Sequence, residues 1–144
     1  MKFDPDRIPE YFTDVTGRRL VRLPTYSSDT PAITEAALFD NAKHRHGLSG
    51  VTYMSDDGKG NRYVVATIPG SGSHSPLARL LLDRPKGYRV RYIDGNPLNL
   101  LPENFRLAAP WANEEAAAEA LALCLAIARH GYETPSTMEA ADHA

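Results

Sequence analysis

Arg91 and Tyr92 stand side by side in the stretch Gly87–Ala108, "GYRVRYIDGNPLNLLPENFRLA". Their chemistries point away from hydrolysis and toward anion capture. A guanidinium has no lone pair for a metal ion and stays charged at any physiological pH, but it grips a phosphate with two parallel hydrogen bonds. A phenol with an ordinary pKa near 10 is a poor base at neutral pH. Three further cations, Lys86, Arg89 and Arg106, fall within or beside the same stretch, and Lys59 and Arg62 lie upstream. These six are the candidate phosphate contacts. His74, together with His44 and His46, could supply a displaced base or ligand, although His and Arg at a helix end also suit the helix dipole. Cys124 is the only cysteine, so it makes neither an internal disulfide nor, by itself, a structural zinc site.

The elements that must position these groups can be read from period and punctuation. In "GYRVRYI" strand alternation puts Arg89 and Arg91 on one face and Tyr88, Val90 and Tyr92 on the other. The loop "DGNPLNLLPEN" follows, with strong turn chemistry at its start. Upstream, "VTYM" and "RYVVATI" flank "SDDGKGN" and predict a hairpin over 50–68. Ser75 and Pro76 then start a short helix carrying Leu77, Leu80 and Leu81, ending near Pro85. Thr30 as cap and Pro31 as first helical residue predict a helix over 31–46. Asn113 as cap, Glu114 and Glu115 in the first turn and Gly131 as stop predict a helix over 113–130. Its second half is apolar on most sides, so it is buried in its own domain or against a partner through Leu121, Cys124 and Leu125. Residues 1–30, with the strand candidate "RRLVRL", read as an N-terminal arm, and 132–144 as a flexible acidic tail.

At 144 residues, 42% hydrophobic and 24% charged, the chain fits one globular α+β domain. The start "MKFDPDRIPEYF" is acidic and proline-bearing, which predicts no signal peptide and a cytoplasmic protein. No apolar run is long enough to span a bilayer. Net charge is −2, but residues 44–112 carry nine Lys/Arg against five Asp/Glu, and 113–144 carry one against six. A positive middle precedes an acidic end.

The Gly87–Ala108 stretch resembles the HNH endonucleases of phages and mobile elements, whose segment reads like V-D-H-I-D-G-N-x-x-N-N-R-x-E-N-L-R. Val90, Ile93, Asp94, Gly95, Asn96, Asn99, Glu103, Asn104 and Arg106 match at the same spacing, with Phe105 for the leucine. The resemblance extends over about Lys59–Ala118. It implies a ββα core: the strand and loop from Gly87 to Asn104, then the helix from Asn113. In that family a strand supplies a metal ligand followed at once by a histidine base. An asparagine twelve residues on positions the base, and a His or Asn on the helix completes the ion site. Asn104 and Asn113 fill the supporting positions, whereas Arg91 and Tyr92 hold the two chemical ones. Asn113 is also explained as an ordinary cap, and the loop residues as plain turn formers. A second resemblance, of "SGVTYMSDDGKGNRYVVATI" to apetala-type DNA-binding hairpins, rests on Gly50, Val51, the Gly-Lys turn, Tyr63, Ala66 and Ile68.

The expectation is therefore a small antiparallel sheet with an HNH-like core and flanking helices, binding DNA with Arg91 in place of the metal and no cofactor. Two alternatives stand beside it. One is an active Mg²⁺- or Mn²⁺-dependent endonuclease with rearranged ligands. The other is a phage-type regulator or inhibitor acting on a protein partner, or a homodimer.

Overall fold

The computed structural model describes residues 8–49, 51–69, 73–82 and 87–130. Among the described residues three small sheets and three helices form an α+β fold. Ten strands are named β1 to β10 in chain order among the described residues.

The first sheet is built on β2 (Arg19–Leu23), where Leu20, Val21 and Leu23 are buried. It pairs antiparallel with β1 (Glu10–Thr13) and with β4 (Ala32–Glu35), setting Val21 between Tyr11 and Thr34. β9 (Asn99–Leu100) completes this sheet alongside β4, in parallel, and the buried Thr34 hydroxyl donates to the Leu100 carbonyl at 2.8 Å. The second sheet runs β3 (Thr25–Tyr26), β5 (Thr52–Asp56), β6 (Arg62–Ile68), β7 (Ser73–Pro76). Its centre is the expected hairpin, with Met54 opposite Val64. The third sheet has two strands, β8 (Arg89–Tyr92) and β10 (Phe105–Ala108), joined antiparallel.

Helix α1 (Ala36–His46) ends where Gly47 adopts φ +66, a left-handed conformation that costs glycine little, and its N–H caps the Lys43 carbonyl at 2.7 Å. Helix α2 (Leu77–Leu81) is five residues long, and α3 (Glu114–His130) seventeen. One core unites these layers: Val21, Leu23, Leu38, Phe39, Leu77, Leu81, Leu100 and Phe105 are among its buried members. Each such side chain contributes about 1.5–3 kcal/mol relative to exposure.

Several expectations need correction. The helix expected from 31 begins at Ala36, because Ala32–Glu35 extends as β4 with Ala32 and Thr34 buried and Ile33 and Glu35 half-buried. Ile33 and Thr34 are β-branched and fit a pleated surface better than a helical turn. Of the expected N-terminal arm, residues 1–7 lie outside the described residues, and 8–30 are built into the domain, since β1 and β2 are sheet strands and Val21 and Leu23 lie in the core. The expected small antiparallel sheet is three sheets, two of which include a parallel pairing. The loop after β8 also holds more than turns, namely β9 and a 3₁₀ turn at Pro102–Asn104.

Charge ties the distant segments together. Arg129 of α3 makes two hydrogen bonds to Glu35 at 2.7 and 2.9 Å. Arg18, in the β1–β2 turn, reaches Glu35 at 3.4 Å and grips Glu103 twice at 2.8 Å. The Arg18 guanidinium holds the Glu103 carboxyl below its ordinary pKa. Asn41 of α1 donates to the Ala128 and Arg129 carbonyls at the end of α3, fixing helix against helix.

Candidate nucleic-acid interface

The register of β8 and β10 decides which side chains can act together. Arg106 lies opposite Arg91, and Ala108 opposite Arg89. Directly opposed residues share a face, so Arg89, Arg91 and Arg106 stand on one exposed side. Val90 and Tyr92, opposite Leu107 and Phe105, pack against the core. This is the alternation expected from the sequence.

The loop beyond β8 is held by Asn104, which is buried. Its Oδ1 accepts from the Asp94 N–H at 3.0 Å, and its Nδ2 donates to Asp94 Oδ1 and to the Asn99 carbonyl at 2.9 Å each. The Asn104 carbonyl accepts from the Ile93 N–H at 2.8 Å. Asn99 Nδ2 donates to Asp94 Oδ2 at 2.9 Å, and the Asn96 N–H to Asp94 Oδ1 at 2.7 Å. Bonded first of all by Asn99, then by Asn96 and Asn104, the Asp94 carboxyl has its pKa lowered from 3.8. Gly95 takes φ +75 and returns its N–H to the Tyr92 carbonyl at 3.0 Å, which closes the turn. Asn104 thus braces Asp94 and not the residue at the base position, Tyr92. Burial pushes the Tyr92 phenol up to about 12, further from any use as a base.

Between β8 and the β5–β6 hairpin lies a cleft of about 720 Å³. Arg62, Arg79, Arg89 and Arg91 line it, with Tyr63, Tyr92, Asn61 and Asn96, and no described carboxylate does. The Arg62 guanidinium reaches the Ser27 carbonyl at 3.3 Å, and Arg79 donates to the Tyr88 carbonyl at 2.7 Å, fixing the start of β8. The Arg89 and Arg91 side chains are exposed and make no hydrogen bond or ion pair with the described residues. Four guanidinium charges around one recess raise its potential and favour an anion.

A second concavity, of about 860 Å³, has Arg91, Arg106, Asn113 and Glu114 on its wall. The two family-motif positions on the strand and on the helix therefore border one hollow. The residues present do not fit a divalent cation. Arg91 brings a permanent positive charge and no lone pair, and Asn113 Oδ1 already accepts the Ala116 N–H at 2.8 Å as a helix cap. Among the described residues no three His, Cys, Asp or Glu converge as a ligand set.

Other expected site residues fall elsewhere. Arg106 is paired with Glu114 at 2.9 Å, so its charge is partly spent before any ligand arrives. Lys59 sits in the hairpin turn beside Asp56 and Asp57, whose side chains receive the Gly58 and Lys59 N–H groups. Two carboxylates there offset the one ammonium. Lys86 and the side chain of His74 lie outside the described residues, as does the tail from 131. His44 and His46 occupy the last turn of α1 and do not line the cleft. Leu121, Cys124 and Leu125, expected to be buried in the chain's own domain or against a partner, pack against its own core, and the exposed large apolar residues of α3 are Leu123 and Ile127, 62% and 43% exposed. Arg79 was missed, because in a leucine-rich helical stretch nothing local distinguishes it. No described helix is long and apolar enough to cross a membrane. Searches of family models, of curated proteins and of solved structures found no match to this chain.

Proposed function

We propose that this chain binds nucleic acid by its phosphate backbone, using Arg89 and Arg91 with Arg62 and Arg79 behind them. The observation that carries the reading is the cleft between β8 and the β5–β6 hairpin: four arginines, no described carboxylate, and two guanidinium groups with no described partner. Such contacts position a strand without reading its bases, so binding is salt-sensitive and only weakly sequence-specific. Fluorescence anisotropy with a labelled oligonucleotide at low salt tests it. The wild-type chain binds, and Arg89→Ala with Arg91→Ala weakens binding by on the order of 100-fold or more, the two charge-assisted contacts contributing about 1.5–3 kcal/mol each. Equal binding by the double variant would remove the cleft from the function.

In this reading the scaffold is a nuclease-like one in which Arg91 stands for the ion. Support comes from the order β8, β10, α3 and from the hollow that Arg91 and Asn113 share. The wild-type protein then leaves plasmid intact with Mg²⁺ or Mn²⁺, just as with EDTA. Arg91→Asp combined with Tyr92→His gains Mn²⁺ binding by titration calorimetry, and a complete absence of such binding would deny the likeness to the HNH site.

A second reading, association through α3, rests on the outward Leu123 and Ile127. These lie one turn apart on the helix. Light scattering decides it, since a chain monomeric at working concentration has no use for that face in self-association.

A further inference from the structure

We infer that the arginine cleft takes a single strand, with one base splayed out against Tyr63, and does not take a duplex. The inference rests on the nucleic-acid reading above and names the form of its ligand.

Shape is the first argument. Readers of duplex DNA present a protruding helix or ribbon that enters a groove. Here Arg89 and Arg91 line a recess. Among the described residues, the exposed hairpin turn at 56–61 beside it carries Asp56 and Asp57 against Lys59, which makes it a poor probe for a phosphate-lined groove. Size is the second argument. A recess of about 720 Å³ lies within the range of roughly 300–1,000 Å³ that encloses one small-molecule-sized group. One nucleotide fits that space.

The third argument is the mixture of residue types. Sequence-tolerant single-strand sites combine a cationic track for the backbone with aromatic rings on which bases stack. Tyr63 follows Arg62 on β6, so strand alternation turns the two side chains to opposite faces; both residues line the cleft with Arg89 and Arg91 of β8, and Tyr63 is half-buried. Asn61 and Asn96 line the same wall and offer amides that bond either a base edge or a phosphate. Tyr92 is too deeply packed to stack a base, which leaves Tyr63 as the platform.

The test uses the full chain and a labelled DNA of about a dozen nucleotides, single-stranded or annealed to its complement, followed by anisotropy. The single strand binds at least tenfold more tightly than the duplex. Tyr63→Ala weakens single-strand binding about 5- to 100-fold and leaves the slope against salt unchanged, while Tyr63→Phe retains affinity. Thermal melting of both variants guards against a folding defect. If the duplex binds as tightly as the single strand, or Tyr63→Ala is silent in a folded protein, this inference falls and the nucleic-acid reading stands. If neither form binds at low salt, both fall. If a poly-glutamate peptide competes as well as the oligonucleotide, the cleft is a general anion site and the inference is overturned.

Discussion

Arg91 faces Arg106 across the β8–β10 pair, so two like charges are directly opposed. Such a pair destabilises a sheet by about 0.2–1 kcal/mol. Glu114 neutralises Arg106, but no described residue does the same for Arg91. A cation kept at a locally unfavourable position is what a binding site leaves behind in a free protein. Arg91→Thr, a β-branched residue suited to a strand, should therefore raise the melting temperature by roughly 1–3 °C while weakening nucleic-acid binding. A destabilised variant would show that Arg91 serves the fold instead. Asp94 offers a second residue-level test. Its folded pKa is depressed below 3.8, so its contribution is complete above that value and disappears as pH falls through the folded one. Asp94→Ala should lower the melting temperature at pH 7, and the gap to wild type should close as pH drops below 3.8. A gap constant from pH 7 to pH 2 would contradict the hydrogen-bonded role.

Among the elements, the ion cluster of Arg18, Glu35, Arg129 and Glu103 fastens the β1–β2 turn, β4, the 3₁₀ turn and α3 to one another. Glu35 is its hub, with a side chain only 15% exposed. Glu35→Ala leaves two guanidinium groups facing each other and should cost about 2–3 kcal/mol by urea denaturation. A loss below 0.5 kcal/mol would mean the cluster is a solvated surface feature. How much of this was legible in the sequence depends on range. The β5–β6 hairpin, the Arg89/Arg91 alternation and the Asn113 cap all follow from residues within a few positions of one another. β4 was hidden because Thr30-Pro31 reads as a helix start and four residues are too few to establish a period of two. Its pairing with β9, where Thr34 meets Leu100, depends on a partner far along the chain and leaves no local mark. Asn104 was legible as a motif residue, but its partners were not, because spacing alone does not say which group an amide will meet.

For the whole molecule, the charge pattern of the sequence becomes a place in space. The positive middle of the chain contributes Arg62, Arg79, Arg89 and Arg91 to one cleft, while its described carboxylates turn elsewhere: Asp56 and Asp57 into the hairpin turn, Asp94 into its own loop, Glu103 onto Arg18. A net charge of −2 for the whole chain is no obstacle to local attraction, since the potential in a recess is set by its walls. The most direct test is the salt dependence of oligonucleotide binding, measured between about 50 and 200 mM salt for wild type and for Arg89→Ala with Arg91→Ala. Two lost phosphate contacts should flatten the slope of log K against log salt by about 1.4–1.8. Identical slopes for the two proteins would contradict the claim that these arginines hold the backbone.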